Sequence, residues 1–100
     1  MAPEIFGDAP YSTKTDVYAY AIIMWEIFAE KTPYYFLGNP NKIVKYVYIE
    51  NGRPSLTDLK SFTPPEMVAI IETNWHRDPA KRMEFRDLYK ELNKIFQSLP

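Results

Sequence analysis

The sequence contains no cysteine and only one histidine, His76. Without cysteine there is no disulfide framework and no thiolate zinc site, and one histidine is too few for a histidine-based metal or nucleophile system. The net charge of −1 lacks the basic excess that binds nucleic-acid phosphates. No apolar run reaches the roughly 20 residues that span a bilayer, and no secretory leader pattern is visible. We therefore expect a cytoplasmic protein with no membrane or nucleic-acid partner.

What is present is a globular composition, with 46% hydrophobic and 16% aromatic residues in 100, enough for one domain or part of one. Its longest apolar stretch covers residues 17–29, where Glu26 is the only charged residue. A helix that is hydrophobic all round is usually buried. With a cap at Thr13-Lys14-Thr15-Asp16 and a stop at Thr32-Pro33, the stretch predicts a buried central helix over residues 13–31.

A second helix is predicted over residues 40–50, because Asn39-Pro40 supplies a cap followed by proline at the first helical position. The β-branched and aromatic residues of this segment, followed by Asn51-Gly52, would also suit a β-hairpin. The Asn-Pro start and the glycine after the end favour the helix.

Two further helices are amphipathic. Thr63-Pro64-Pro65-Glu66 has the pattern of a capping box, and apolar residues at helical spacing follow it over residues 64–76. The last helix is predicted over residues 84–98, with an apolar stripe that runs from Phe85 to Leu99. No segment alternates like a strand. The predicted fold class is therefore all-α, with one buried central helix surrounded by three amphipathic helices.

Several motifs occur in an order that resembles the C-terminal half of the large lobe of a protein kinase, in the tyrosine-kinase or tyrosine-kinase-like branch. They are Met1-Ala2-Pro3-Glu4, Asp16-Val17-Tyr18, Trp25-Glu26, Lys31-Thr32-Pro33-Tyr34, Arg53-Pro54, and Trp75 followed by Asp78-Pro79 and Arg82. The resemblance covers residues 1–100 as a partial kinase domain, with residues 1–11 as the end of the activation segment. Departures are Ala21 and Glu30, where the family usually has glycine, and Met83, where proline often follows the arginine.

The resemblance implies structural roles for five residues. Glu4 and Arg82 would form a buried ion pair that ties the end of the activation segment to the last loop. Asp16 would accept hydrogen bonds from the backbone of the catalytic loop. Ile23 and Ile27 would form the base of the apolar spine under the nucleotide.

The predicted helix over residues 40–50 and the loop before it are candidates for docking substrates or regulators of the parent kinase. The side chains we expect to serve are Ile43, Val44, Val47, Tyr34 and Tyr35.

None of the parts that transfer phosphate can be assigned: the glycine-rich loop, the paired lysine, the aspartate base or the magnesium-binding Asp-Phe-Gly. His76-Arg77-Asp78 has the letters of a catalytic loop but follows the Ala-Pro-Glu motif, and Met83 stands where a magnesium ligand would be needed. We therefore assign no catalytic, cofactor-binding or metal-binding residue. ATP and magnesium are expected only in the parent kinase.

The first hypothesis is thus an inactive C-terminal part of a kinase that phosphorylates protein serine or threonine, or tyrosine. Its partners would be protein substrates, regulators and the missing N-terminal part of the kinase domain. The alternative is a pseudokinase tail or a helical protein-interaction module, which the sequence upstream of Met1 would distinguish. Because Asp16, Ile23 and Ile27 would be poorly covered without that missing part, self-association is also expected.

Overall fold

The computed structural model describes residues 2–6 and 12–98. Its α-helices are α1 (Pro3–Phe6), α2 (Thr13–Ala29), α3 (Pro40–Val44), α4 (Pro65–Asn74) and α5 (Phe85–Ser98). A π-helical turn, Lys45–Ile49, continues α3, and short 3₁₀ helices cover Leu56–Asp58 and Pro79–Lys81. No strand occurs in the described ranges, and the all-α prediction is confirmed. The remainder of the predicted activation-segment end, at residues 1 and 7–11, and Leu99 lie outside the described residues.

Helix α2 packs mainly on α4 and buries one face completely. Val17, Ala21 and Ala29 have no exposed surface, and Trp25 is 1% exposed. The Trp25 indole N–H donates to the Ser55 carbonyl at 2.8 Å, so the polar end of this buried ring is satisfied. None of the described helices is long and apolar enough to cross a membrane.

The opposite face of α2 is open, so the prediction of a helix buried all round is wrong. Tyr20 is 49%, Ile23 50% and Ile27 63% exposed, and Glu26 is exposed beside them. The molecule is a slab of 41 × 29 × 14 Å, and its thickness leaves no second layer over this face. The expectation that Ile23 and Ile27 lie uncovered in this chain is confirmed, whereas Asp16 is half-buried.

Both ends of α2 differ from the prediction. The N-cap is Ser12 rather than Thr13, and the Ser12 N–H donates to the Thr15 hydroxyl at 3.3 Å. The helix ends at Ala29, and Glu30 takes the left-handed conformation at φ 58° while its N–H donates to the Glu26 carbonyl at 2.9 Å. This conformation costs a non-glycine residue roughly 1–2 kcal/mol, which explains why a glycine is common there.

The helical interpretation of residues 40–50 is correct up to Val44, and the π turn after it was not predicted. Asn39 Oδ1 accepts from the Lys42 N–H at 2.9 Å, so the predicted cap forms. After the π turn the Gly52 N–H donates to the Tyr46 carbonyl at 2.6 Å. A Cβ atom on Gly52 would collide with the Tyr46 ring, so only glycine fits at this close approach.

Helix α4 covers Pro65–Asn74, so it begins one residue later and ends two residues earlier than the predicted 64–76, and the capping box is absent. The N-cap is Pro64, and no side chain caps the helix. The Thr63 hydroxyl is buried instead, with no hydrogen-bond partner in the described part of the chain. Proline preorganises the first turn without a cap, because it has no N–H to satisfy there.

A buried asparagine joins the end of α4 to the segment before α5. Asn74 has no exposed surface, and its amide nitrogen donates to the Ile70 carbonyl at 2.8 Å. Its amide oxygen accepts from the Met83 N–H, also at 2.8 Å. A proline at position 83 has no N–H and would leave that oxygen without this partner. The departure from the family pattern at Met83 therefore has a local structural reason.

Candidate functional site

Arg82 is the centre of the most connected polar cluster among the described residues. Its side chain has no exposed surface, and the Glu4 side chain is 8% exposed. Nη1 donates to Glu4 Oε2 and Nη2 donates to Glu4 Oε1, both at 2.8 Å. This two-pronged geometry is the strongest form of an ion pair. It joins α1 to the segment between Lys81 and α5.

The N–H groups of Arg82 that do not bind Glu4 donate to backbone carbonyls. Nε donates to the His76 carbonyl at 2.8 Å, and Nη1 also donates to the Lys14 carbonyl at 2.9 Å. The guanidinium carbon lies 4.9 Å from the centre of the Tyr18 ring, within range of a cation–π interaction. These contacts offset the cost of burying the charge, which an ion pair alone does not always do.

Glu4 is also held from the first turn of α2. The Thr15 hydroxyl donates to Glu4 Oε2 at 3.0 Å. Burial raises the pKa of Glu4, but the hydrogen bonds from Arg82 and Thr15 and the charge of Arg82 outweigh burial, so the pKa lies below its ordinary value. Glu4 therefore stays ionised at neutral pH.

Lys14 completes the cluster and was missed by the sequence analysis, as was Thr15. Lys14 Nζ donates to the Arg82 carbonyl at 2.6 Å and lies 3.4 Å from Glu84 Oε1. A lysine and a hydroxyl at a helix start are common, so nothing in the sequence distinguished these two.

The predicted anchor and spine residues share one side of α2. Asp16 lies in its first turn, and Ile23 and Ile27 follow after seven and eleven residues, which places all three along one stripe of the helix. The ion-pair cluster thus lies at the end of the exposed apolar stripe. Asp16 directly follows Thr15 of the cluster in the sequence. Its role towards a catalytic loop remains a prediction.

The five candidate docking residues do not form one surface. Val47 is 2% exposed and belongs to the interior, and Tyr34 is half-buried. Burial raises the pKa of Tyr34 far above its usual range. Tyr35 is 52% and Val44 38% exposed, and Ile43 is half-buried. Of the five, only Tyr35 and Val44 are exposed.

The His76-Arg77-Asp78 tripeptide has a local structural role. Asp78 Oδ1 accepts from the Ala80 N–H at 3.0 Å and caps the 3₁₀ helix, while the Asp78 N–H donates to His76 Nδ1 at 2.9 Å. No group of three or more metal-ligating side chains occurs within residues 2–6 and 12–98.

Comparison of the sequence with known protein families shows which family the chain belongs to. The family model described as protein tyrosine and serine/threonine kinase matches residues 1–92. This chain belongs to the protein kinase family. The two residues of the buried ion pair, Glu4 and Arg82, both lie within the matched range.

Curated protein kinases are similar over almost the whole chain. Serine/threonine-protein kinase STY17 of Arabidopsis thaliana is 31% identical over 99 residues, which cover 99% of this chain and 17% of that protein. Dual specificity protein kinase shkD of Dictyostelium discoideum is 33% identical over 95 residues, 95% of this chain and 12% of that protein. Human mitogen-activated protein kinase kinase kinase 7 is 28% identical over 100 residues, 100% of this chain and 16% of that protein. The chain therefore spans under a fifth of each relative, and the tyrosine-kinase-like branch fits these kinases.

Breaking the buried ion pair should destabilise the fold strongly. In Arg82→Met the Glu4 carboxylate remains buried without its partner, and we expect a loss of about 3–5 kcal/mol in the free energy of unfolding. The double variant Glu4→Gln/Arg82→Met, which removes both charges, should lose less than the sum of the single variants. Urea unfolding followed by circular dichroism measures these changes.

The matched control is Lys94→Met, which breaks the exposed Glu91–Lys94 pair, 3.4 Å apart. Exposed pairs contribute about 0–1 kcal/mol, so this variant should unfold almost like the wild type. Equal losses in Arg82→Met and Lys94→Met would contradict a dominant role for the buried pair.

The lowered pKa of Glu4 predicts an acid-sensitive fold. The stabilisation by Glu4 should be fully present above the pKa of an unfolded glutamate, about 4.3, and should be lost as the pH falls through the lower folded-state pKa. The free energy of unfolding measured between about pH 6 and about pH 3 should therefore fall less steeply in Glu4→Gln than in the wild type. Glu91→Gln should keep the wild-type slope, and an unchanged slope in Glu4→Gln would exclude Glu4 as the group responsible.

Proposed function

We propose that these 100 residues form the C-terminal part of a kinase large lobe and hold its catalytic loop and activation segment in place. The parent kinase would transfer phosphate from ATP to serine or threonine hydroxyls of proteins. The observation that carries this proposal is the buried bidentate ion pair between Glu4 and Arg82, with both oxygen–nitrogen distances at 2.8 Å.

In this proposal the Glu4–Arg82 ion pair fixes the position of the C-terminal end of the activation segment. Phosphoryl transfer depends mostly on positioning and on charge neutralisation, so a rigid frame contributes directly to the rate. Glu4 belongs to the motif that resembles the end of an activation segment, and its carboxylate is bound from both Arg82 and Thr15. A peptide substrate beside this segment would meet a backbone whose end cannot shift.

The stripe on α2 would receive the rest of the kinase domain. Asp16 would accept backbone N–H groups of the catalytic loop, and Ile23 and Ile27 would form the base of the apolar spine. Ile23 is 50% and Ile27 63% exposed, which suits side chains that pack against a further element of the kinase domain. In this proposal the N-terminal part of the kinase domain, with ATP and magnesium, lies over that stripe.

The chain by itself is proposed to be inactive. Its 100 residues hold no assignable glycine-rich loop, aspartate base or magnesium-binding motif. STY17 is named a serine/threonine-protein kinase and shkD a dual specificity protein kinase. We therefore propose serine or threonine as the acceptor, with tyrosine as the second choice.

An interaction module, including a pseudokinase tail, is the second candidate. The observation in its favour is the exposed apolar surface around α3. Tyr35 and Phe36 are each 52% exposed with their rings 5.7 Å apart, and Ile49 is 70% exposed. Such a surface suits protein contacts whether or not the parent transfers phosphate.

A chimeric kinase tests the scaffold function. We expect STY17 in which this chain replaces the matching 99 residues to phosphorylate casein with Mg-ATP, while the chain alone gives neither phosphate transfer nor calorimetric heat with Mg-ATP. Asp16→Asn in the chimera should lower kcat by about tenfold or more, because its amide would hold the catalytic loop less firmly.

Glu26→Gln is the control, since Glu26 is an exposed acid of the same helix and has no proposed role. A chimera that folds but transfers no phosphate would favour the interaction module. Phosphate transfer or Mg-ATP binding by the chain alone would contradict its proposed inactivity.

Without the rest of the kinase domain, the exposed stripe should drive self-association. We expect the chain to sediment with a mass above that of one copy, and Ile23→Ser/Ile27→Ser to shift it towards the monomer. Phe96→Ser removes a side chain that is 62% exposed on α5 and should leave the association unchanged. A compact monomer at every concentration in sedimentation equilibrium would contradict this prediction.

A further inference from the structure

A basic pocket of about 220 Å³ lies between the end of the π turn and the end of α4. It is lined by Asn51, Arg53, Glu72, Trp75, His76 and Arg77. We propose that this pocket binds a phosphate monoester carried by a protein segment, such as a phosphorylated serine. The proposal is independent of phosphate transfer by the parent. The pocket adjoins the Glu4–Arg82 pair through the backbone, because the Arg82 Nε donates to the His76 carbonyl at 2.8 Å.

Arg53 is held in place by the backbone. Its Nε donates to the Trp75 carbonyl at 2.7 Å, and its Nη1 donates to the Gly52 carbonyl at 2.6 Å. Its guanidinium carbon lies 5.3 Å from the centre of the Tyr18 ring. The other terminal nitrogen, Nη2, has no bond within the described ranges and is available to a ligand. Because the side chain is already ordered, binding costs little further entropy.

Arg77 is ordered in a similar way, by the π turn. Its Nη1 donates to the Tyr48 carbonyl at 2.6 Å, and its guanidinium carbon lies 5.4 Å from the centre of the Tyr48 ring. An arginine has five N–H donors, so most of those on Arg77 remain for an anion. π-Helical turns occur frequently at functional sites, and here the turn positions a cation beside the pocket.

Neither guanidinium has a carboxylate partner in the part of the chain that the structure describes. Arg82, by contrast, forms its ion pair with Glu4 at 2.8 Å. Glu72 lines the pocket but lies beyond ion-pair distance of both Arg53 and Arg77. Two ordered cations and one carboxylate therefore line the pocket, and the excess positive charge favours an anionic ligand.

His76 supplies a further donor. Its Nδ1 accepts from the Asp78 N–H at 2.9 Å, so the proton of the neutral ring is on Nε2. Two guanidinium groups and one N–H match a phosphate monoester, which carries close to two negative charges and three acceptor oxygens. A single carboxylate offers two oxygens and one charge and would use the site only in part.

The surroundings of the pocket favour a phosphate that is attached to a peptide. Ile49, 70% exposed, lies in the π turn, two residues before Asn51 of the pocket wall. Residues that flank a phosphorylated side chain can pack on this apolar surface, whereas inorganic phosphate makes no such contact. Ile49 would therefore distinguish the two sources of the same chemical group.

The test is a titration of the ¹⁵N-labelled chain, followed by NMR, with an acetylated and amidated pentapeptide Ala-Leu-phosphoserine-Leu-Ala. Inorganic phosphate and the unphosphorylated peptide are titrated in parallel. We expect saturable shifts at His76 and Arg77 with the phosphopeptide. Arg77→Gln should raise Kd by about fivefold or more, since a charged hydrogen-bond donor is lost. Glu72→Gln should lower Kd by about two- to threefold by removing a repulsive charge.

Arg86→Gln is the matched control, because Arg86 is an exposed arginine on α5 outside the pocket and should leave Kd unchanged. If Arg77→Gln perturbs the fold, the opposite shift expected in Glu72→Gln still tests the proposal. Equal binding of the phosphorylated and unphosphorylated peptides, or no change in both pocket variants, would overturn it. Binding of inorganic phosphate without the phosphopeptide would overturn the assignment to a protein-borne group.

Discussion

The buried guanidinium of Arg82 is the constraint on which the rest of this structure depends. It joins α1, the first turn of α2 and the segment before α5, and its partner Glu4 lies 78 positions away in the sequence. Helix α1 has four residues and is too short to be stable by itself. The position of α1 is therefore determined by tertiary contacts, namely the ion pair between Glu4 and Arg82 and packing against the π turn. One guanidinium group thus holds together segments from both ends of the chain.

The helices with clear local signals could be predicted from the sequence. The Asn39-Pro40 start and the apolar stripe of α5 each act through local physics, and each appears in the structure. Helix α4 begins at Pro65, one residue after the predicted start at Pro64. The pairing of Glu4 with Arg82 could not be derived from spacing, because nothing local connects the two residues. It was expected only from the resemblance to kinases, whose motifs record a contact that composition and periodicity do not.

The errors have physical reasons as well. Whether a face of α2 is covered depends on which other elements are present, so its uniform hydrophobicity could not show that Ile27 is exposed. Val47 was placed on a docking surface by assuming a regular helix. The π turn has hydrogen bonds from residue i to i+5, which changes the direction of the side chains after Val44 and turns Val47 inward. The pocket with Arg77 depends on the same turn, because Arg77 donates to the Tyr48 carbonyl. It could not be predicted from a helical period of 3.6 residues.

The contact between Asn74 and Met83 has a consequence for variation among relatives. The amide oxygen of Asn74 is buried and depends on the backbone N–H of residue 83. A proline there would leave the oxygen unsatisfied at a cost of about 1–3 kcal/mol. An asparagine at position 74 should therefore be inherited together with a residue other than proline at position 83. A sequence that gains the proline should replace the asparagine, so the two sites are expected to covary.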